Sequence, residues 1–201
     1  EDIFITAILR DIDDGDDLEE ETDEFDLKPQ KSERETITFK IPQEVEEDTY
    51  ELVITVEGED ENDTFHELEW TIYLEVKKDK HDIQINKAQL SRSNIELPGD
   101  VTLTINLINY GRDEEDEVTL EIVNHDLGIN FRQSNIELSD DLFDDDSEFR
   151  KTVAMSFDDE VNAGTYPITV SVYYDDSKLD DETTVDLTIK EGKVVKTAVK
   201  K

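Results

Sequence analysis

Apolar residues along this chain recur at every second position. In VTLTINLIN (101–109), Val101, Leu103, Ile105 and Leu107 fall on one face. The same alternation groups Val118, Leu120 and Ile122 in 117–124, and Phe149, Val153, Met155 and Phe157 in 149–157. It groups Tyr166, Ile168, Val170 and Val172 in 164–176, and Val185, Leu187 and Ile189 in 182–190. The intervening positions are mostly threonine, serine and charged residues. Successive side chains of a strand point to opposite faces, so each run predicts a strand with one dry and one wet face. That is the pattern of antiparallel sheets, and no segment carries a helical stripe. Several short strands with turn residues between them predict an all-β chain built as antiparallel β-sandwiches.

An internal repeat divides the chain. EDTYELVITVEGED (47–60) aligns with AGTYPITVSVYYDD (163–176) at an offset of 116. Tyr50 matches Tyr166, Leu52 matches Ile168, Ile54 matches Val170 and Val56 matches Val172. Upstream, Thr36-Ile37 matches Thr152-Val153; downstream, Trp70, Ile72 and Leu74 resemble Val185, Leu187 and Ile189. A tyrosine at such a corner can hydrogen-bond back to the backbone and pin the turn, as in immunoglobulin-like sandwiches. The repeat predicts two tandem immunoglobulin-like modules, 1–78 and 79–190, followed by a basic tail, 191–201, read either as a donor strand for the open edge of another copy or as a linker. Residues 82–116 have no counterpart in the first module at this offset. The first module is therefore expected to lack its initial strands, keeping strands at 2–10, 35–41, 49–58 and 66–77, with an open sheet edge and an apolar face. Trp70 is expected in the core. The chain opens on Glu1 with no signal peptide pattern, which reads as a processed mature chain or an excised fragment.

Composition narrows the function classes. Charged residues make up 38% of the 201 residues and the net charge is -36. Phosphate backbones would be repelled, so nucleic acid is excluded as a partner, and an anionic membrane surface is a poor one. Salt or divalent ions would relieve the self-repulsion. A salt-adapted source is one reading, opposed by 14 lysines against 6 arginines. With no cysteine, disulfides, thiolate metal sites and thiol nucleophiles are excluded. No apolar run is long enough for a transmembrane helix, so no direct membrane insertion is expected. The last twelve residues, KEGKVVKTAVKK, reverse the charge, with five lysines against one glutamate for a net +4.

Candidate chemistry is sparse. In DIDDGDDLEE (11–20), Asp11, Asp13, Asp14, Asp16 and Asp17 crowd around Gly15. Hard oxygen ligands on a tight glycine turn suit calcium, although the spacing is not that of an EF-hand loop. A solvated acidic hairpin is the competing reading. SDDLFDDDSE (139–148) is a second acidic loop of the same character. Asn62-Asp63-Thr64 is a glycosylation sequon in a turn, making Asn62 a candidate modification site. His66, His81 and His125 lack metal-ligand spacing and read as isolated surface or rim residues. No nucleophile elbow and no phosphate-binding glycine loop is present, so the chain is read as not an enzyme.

VTLTINLINYGRDEEDEVTLEI (101–122), with its Asn109-Tyr110-Gly111 turn and acidic hairpin, resembles the CARDB-like and S-layer-associated immunoglobulin-like modules of archaeal and bacterial surface proteins. The small-Gly-Thr-Tyr corner at 163–166 is similar to the same family. The resemblance covers the second module fully and the first in part. It implies an extracellular structural role in a cell-surface layer, filament or adhesion system, with partners that are further copies or neighbouring surface modules. A calcium-stabilised adhesion module that binds carbohydrate or protein is the alternative.

Overall fold

A computed structural model describes residues 2–13, 15–175 and 177–191, with the side chain of Asp13 left undescribed. The chain is all-β and antiparallel sheets dominate it. It divides into two compact units, Glu1–Lys78 and Asp79–Lys201.

The second unit is a sandwich. One sheet holds β5 (Ile83–Leu90), β7 (Gly99–Asn109) and β10 (Glu148–Phe157), in the order β10-β7-β5. The other holds β6 (Asn94–Glu96), β8 (Glu115–Asn124), β9 (Ile129–Leu138), β11 (Gly164–Tyr174) and β12 (Lys178–Lys190), in the order β6-β12-β11-β8-β9. The alternating residues of both sheets meet in one core. Leu103, Ile105 and Leu107 come from the smaller sheet, and Leu120, Ile122, Ile168, Val170, Val172 and Leu187 from the larger; all are fully buried. This is the inward set that the alternation predicts.

The first unit contains β1 (Phe4–Asp13), β2 (Asp16–Glu21), β3 (Thr49–Glu59) and β4 (Phe65–Glu75). Among the described residues they form one sheet, in the order β2-β1-β3-β4. This order repeats β9-β8-β11-β12 of the second unit. The registers agree as well. Leu52 faces Ile72 as Ile168 faces Val185, and Tyr50 faces Leu74 as Tyr166 faces Leu187. The pairing shifts the sequence alignment of this strand by two residues: Trp70 stands at the position of Thr183, Ile72 at that of Val185 and Leu74 at that of Leu187, not at Val185, Leu187 and Ile189.

The expected strand at 35–41 is absent from the sheets. Its counterpart β10 is held by β7, with Val153 opposite Leu103. At the repeat offset β7 has no equivalent in this sequence, and a backbone with no ladder partner does not make a strand. The alternation survives even so, since Ile37 and Phe39 are half-buried between exposed neighbours. Two strands escaped the sequence pattern. β2 (DDLEEE) has Leu18 as its one apolar residue, and the register of β9 against β8 is shifted twice. Both exist because a neighbouring strand offers them a ladder, which hydrophobic alternation does not report.

Candidate functional site

The corners that begin β3 and β11 are built alike. The Tyr50 hydroxyl donates to the Glu46 carbonyl at 3.0 Å, and the Tyr166 hydroxyl donates to the Asn162 carbonyl at 2.7 Å. Each bond spans four residues and ties the strand to the loop before it, as the sequence leads one to expect. Partial burial and the nearby carboxylates of Asp48 and Glu46 push the Tyr50 hydroxyl above its ordinary range.

From that shared corner the two sheets diverge. In the second unit the apolar face is sealed, and Leu187 is 0% exposed. On the first unit's matching face, Ala7 and Leu9 of β1 are buried, Leu52, Ile54 and Val56 of β3 are half-buried, and β4 is open. Leu74, the equivalent of Leu187, is 38% exposed; Trp70 is 51% and Leu68 59% exposed. Trp70 is thus not a core residue: its strand is the sheet's last and no second sheet lies over it among the described residues. A contiguous exposed apolar face of this kind is a candidate interaction surface. The opposite face of β4 carries Glu67, Glu69 and Glu75.

The acidic loop lies at the β1–β2 turn. Asp11, with φ 55, donates its backbone N–H to Asp17 Oδ1 at 2.9 Å, and Gly15 takes φ 84. Asp11, Asp16 and Asp17 are exposed; Asp14 and the Asp13 side chain lie outside the described residues. Among the described residues no three histidine or carboxylate groups converge as a metal site would require. Asn62 is exposed at the β3–β4 turn. There Asp60 accepts from the backbone N–H of Asn62 at 2.8 Å and of Thr64 at 3.1 Å. These bonds, with a smaller contribution from His66, bring the Asp60 carboxyl down to about 2.

One histidine departs from expectation. His81 Nδ1 lies 2.5 Å from Glu115 Oε1, and its ring stacks on Tyr174 with centroids 4.2 Å apart. Burial raises the Glu115 carboxyl above its ordinary range, against the opposing pull of His81. Beside it the backbone N–H of Ile83 donates to Asp180 and that of Ile85 to Asp181, so carboxylates of β12 hold the start of β5. His81 and Glu115 are 34 residues apart, and no local spacing signals the pair. His66 and His125 are exposed.

The Asn109-Tyr110-Gly111 turn is a packed feature. Asn109 is fully buried; its amide donates to the Asp113 and Ser139 carbonyls, and its Oδ1 accepts from the Gly111 N–H. A Cβ on Gly111 would stand 2.9 Å from the Lys80 carbonyl oxygen and 3.0 Å from the Asp82 nitrogen. The glycine is needed there for close approach of two backbones.

Against known proteins, the chain matches no protein-family model and no curated protein sequence. The basic tail, 191–201, falls outside the described residues apart from Glu191.

Proposed function

We propose that this chain is an extracellular structural protein, a subunit or segment of a cell-surface layer or filament that assembles through its β-sandwich modules. The observation that carries the reading is the pair of matching sheets. The face that a second sheet seals in the Asp79–Lys201 unit is left open along β4 of the Glu1–Lys78 unit. Leaving Leu68, Trp70, Ile72 and Leu74 in water is unfavourable, and an occupant drawn from outside the described residues removes that cost. The strongly acidic surface keeps such a protein soluble until the contact forms. The likeness to S-layer-associated modules supports the cell-surface location.

Negative-stain imaging joined to sedimentation velocity over a range of protein and salt concentrations tests it. Fibres, sheets or concentration-dependent growth are expected. Single particles at every concentration, in low and high salt and with calcium, would overturn it.

A further inference from the structure

β4 is the most open strand among the described residues. All eleven of its residues are exposed, and among the described residues it pairs with β3 alone. Its equivalent, β12, has the other edge occupied: β6 runs parallel along it, with Ile95 opposite Ile189 and buried to 4% exposure. The second unit therefore displays the addition that the first unit's edge lacks among the described residues.

The chemistry of β4 selects its occupant. One of its faces is apolar, with Trp70 and Ile72; the other bears Glu67, Glu69 and Glu75 together with the exposed Phe65 and Tyr73. Two β4 strands meeting edge to edge in antiparallel fashion, in the register centred on Thr71, would set Glu67 of one copy toward Glu75 of the other, on a molecule of net charge -36. Like charges directly opposite on a sheet are destabilising. A cationic strand with one apolar face removes the conflict. The stretch 190–201 has that composition, with a net charge of +4. Strand alternation over 194–200 puts Val195, Thr197 and Val199 on one face and Lys196 and Lys200, with Val194 and Ala198, on the other. Laid on the β4 edge, the lysines come beside the glutamates and the valines beside Trp70 and Ile72.

We propose that residues 194–200 of one copy add as a strand to the outer edge of β4 in a second copy. The proposal rests on the assembly reading above and names its contact. Main-chain hydrogen bonds hold the added strand and the alternating side chains set its register. The contact joins unlike surfaces, so it propagates as an open chain of subunits.

Two charge-reversed variants of the full chain test it, E67K/E69K and K196E/K200E. Glu67 and Glu69 are exposed, so the first variant keeps its fold. Each variant alone should self-associate at least about tenfold more weakly than the parent. An equimolar mixture should recover assembly, because each tail then meets an edge of opposite sign. Trp70 is the one tryptophan, so its emission reports the edge directly and should shift to shorter wavelength on assembly. If both variants assemble as the parent does, this contact is wrong while the assembly reading stands. If the parent stays monomeric and its Trp70 emission is unaffected by concentration and by both variants, both fail. If the parent is monomeric but each variant alone changes the Trp70 emission and mixing restores nothing, the tail lies on its own chain's β4, and the second-copy proposal is overturned.

Discussion

β3 and β11 are nearly the same strand in two surroundings. Both begin at a Thr-Tyr corner, both carry apolar residues at alternate positions, and both sit between the same two neighbours in their sheets. Yet Ile168, Val170 and Val172 are fully buried, whereas Leu52, Ile54 and Val56 are half-buried, and the difference widens one strand further out, at Leu187 and Leu74. An inward pattern is a capacity to be covered; the covering comes from elsewhere. In the second unit β5, β7 and β10 supply it, and in the first the sheet stands without an equivalent layer among the described residues. A module that carries the pattern without the cover leaves its apolar face exposed.

Truncation at equivalent positions should separate the two units most strongly. Leu187→Ala removes a fully buried side chain and should cost its unit about 3 kcal/mol. Leu74→Ala, already partly in water, should cost about 1 kcal/mol or less. Hydrogen exchange at β11 and β3 reads the two effects separately; equal losses would break the comparison. Next come the glycines. Gly111→Ala drives a methyl against two backbone atoms and should cost about 2 kcal/mol. Gly58→Ala meets chiefly the Ile3 side chain, with Cγ1 at 2.8 Å, which can give way. It should cost about 1 kcal/mol, measured by urea unfolding. Tyr50→Phe and Tyr166→Phe should each lose about 1 kcal/mol, since the same corner bond is removed from both units. A large loss at Tyr166 alone would show that the corner depends on the covering sheet.

The smallest effect is in pH dependence, and its sign differs between exposed and partly buried carboxyls. The Asp60 carboxyl is held at about 2, below its unfolded value, so its stabilisation is present at neutral pH and fades as pH falls toward about 2. Glu115 and Asp180 are raised, foremost by burial, so their contribution is full in acid and is lost as pH rises through their folded values. Carboxyl chemical shifts followed through an acid titration should show midpoints above the ordinary carboxylate values for Glu115 and Asp180, and near 2 for Asp60. A common midpoint for the three would remove this distinction.

Much of the fold was legible because strand alternation is a local property. VTLTINLIN places Val101, Leu103, Ile105 and Leu107 in the core as its pattern says. The same reasoning failed where a non-local partner decides. Segment 35–41 alternates but has no strand to pair with, while β2 scarcely alternates and pairs with β1 all the same. Trp70 reads as a core residue by its pattern and lies open because the layer over it is missing among the described residues. At the candidate surface the apolar face and the open edge were readable from the repeat. Glu67, Glu69 and Glu75 fall on the opposite face by the same alternation. The pair of His81 and Glu115 had no signal at all, since it forms across two segments that only the folded chain brings together.

By itself the sequence determined which residues can form strands, which side of each strand is apolar, and that one strand pattern occurs twice. Those follow from backbone geometry that repeats every two residues. Only the tertiary structure decided which apolar faces are covered, which edges are paired, and where the carboxylates gather. Burial and pairing depend on segments distant in the chain, and each contact is made or lost according to whether its partner is there.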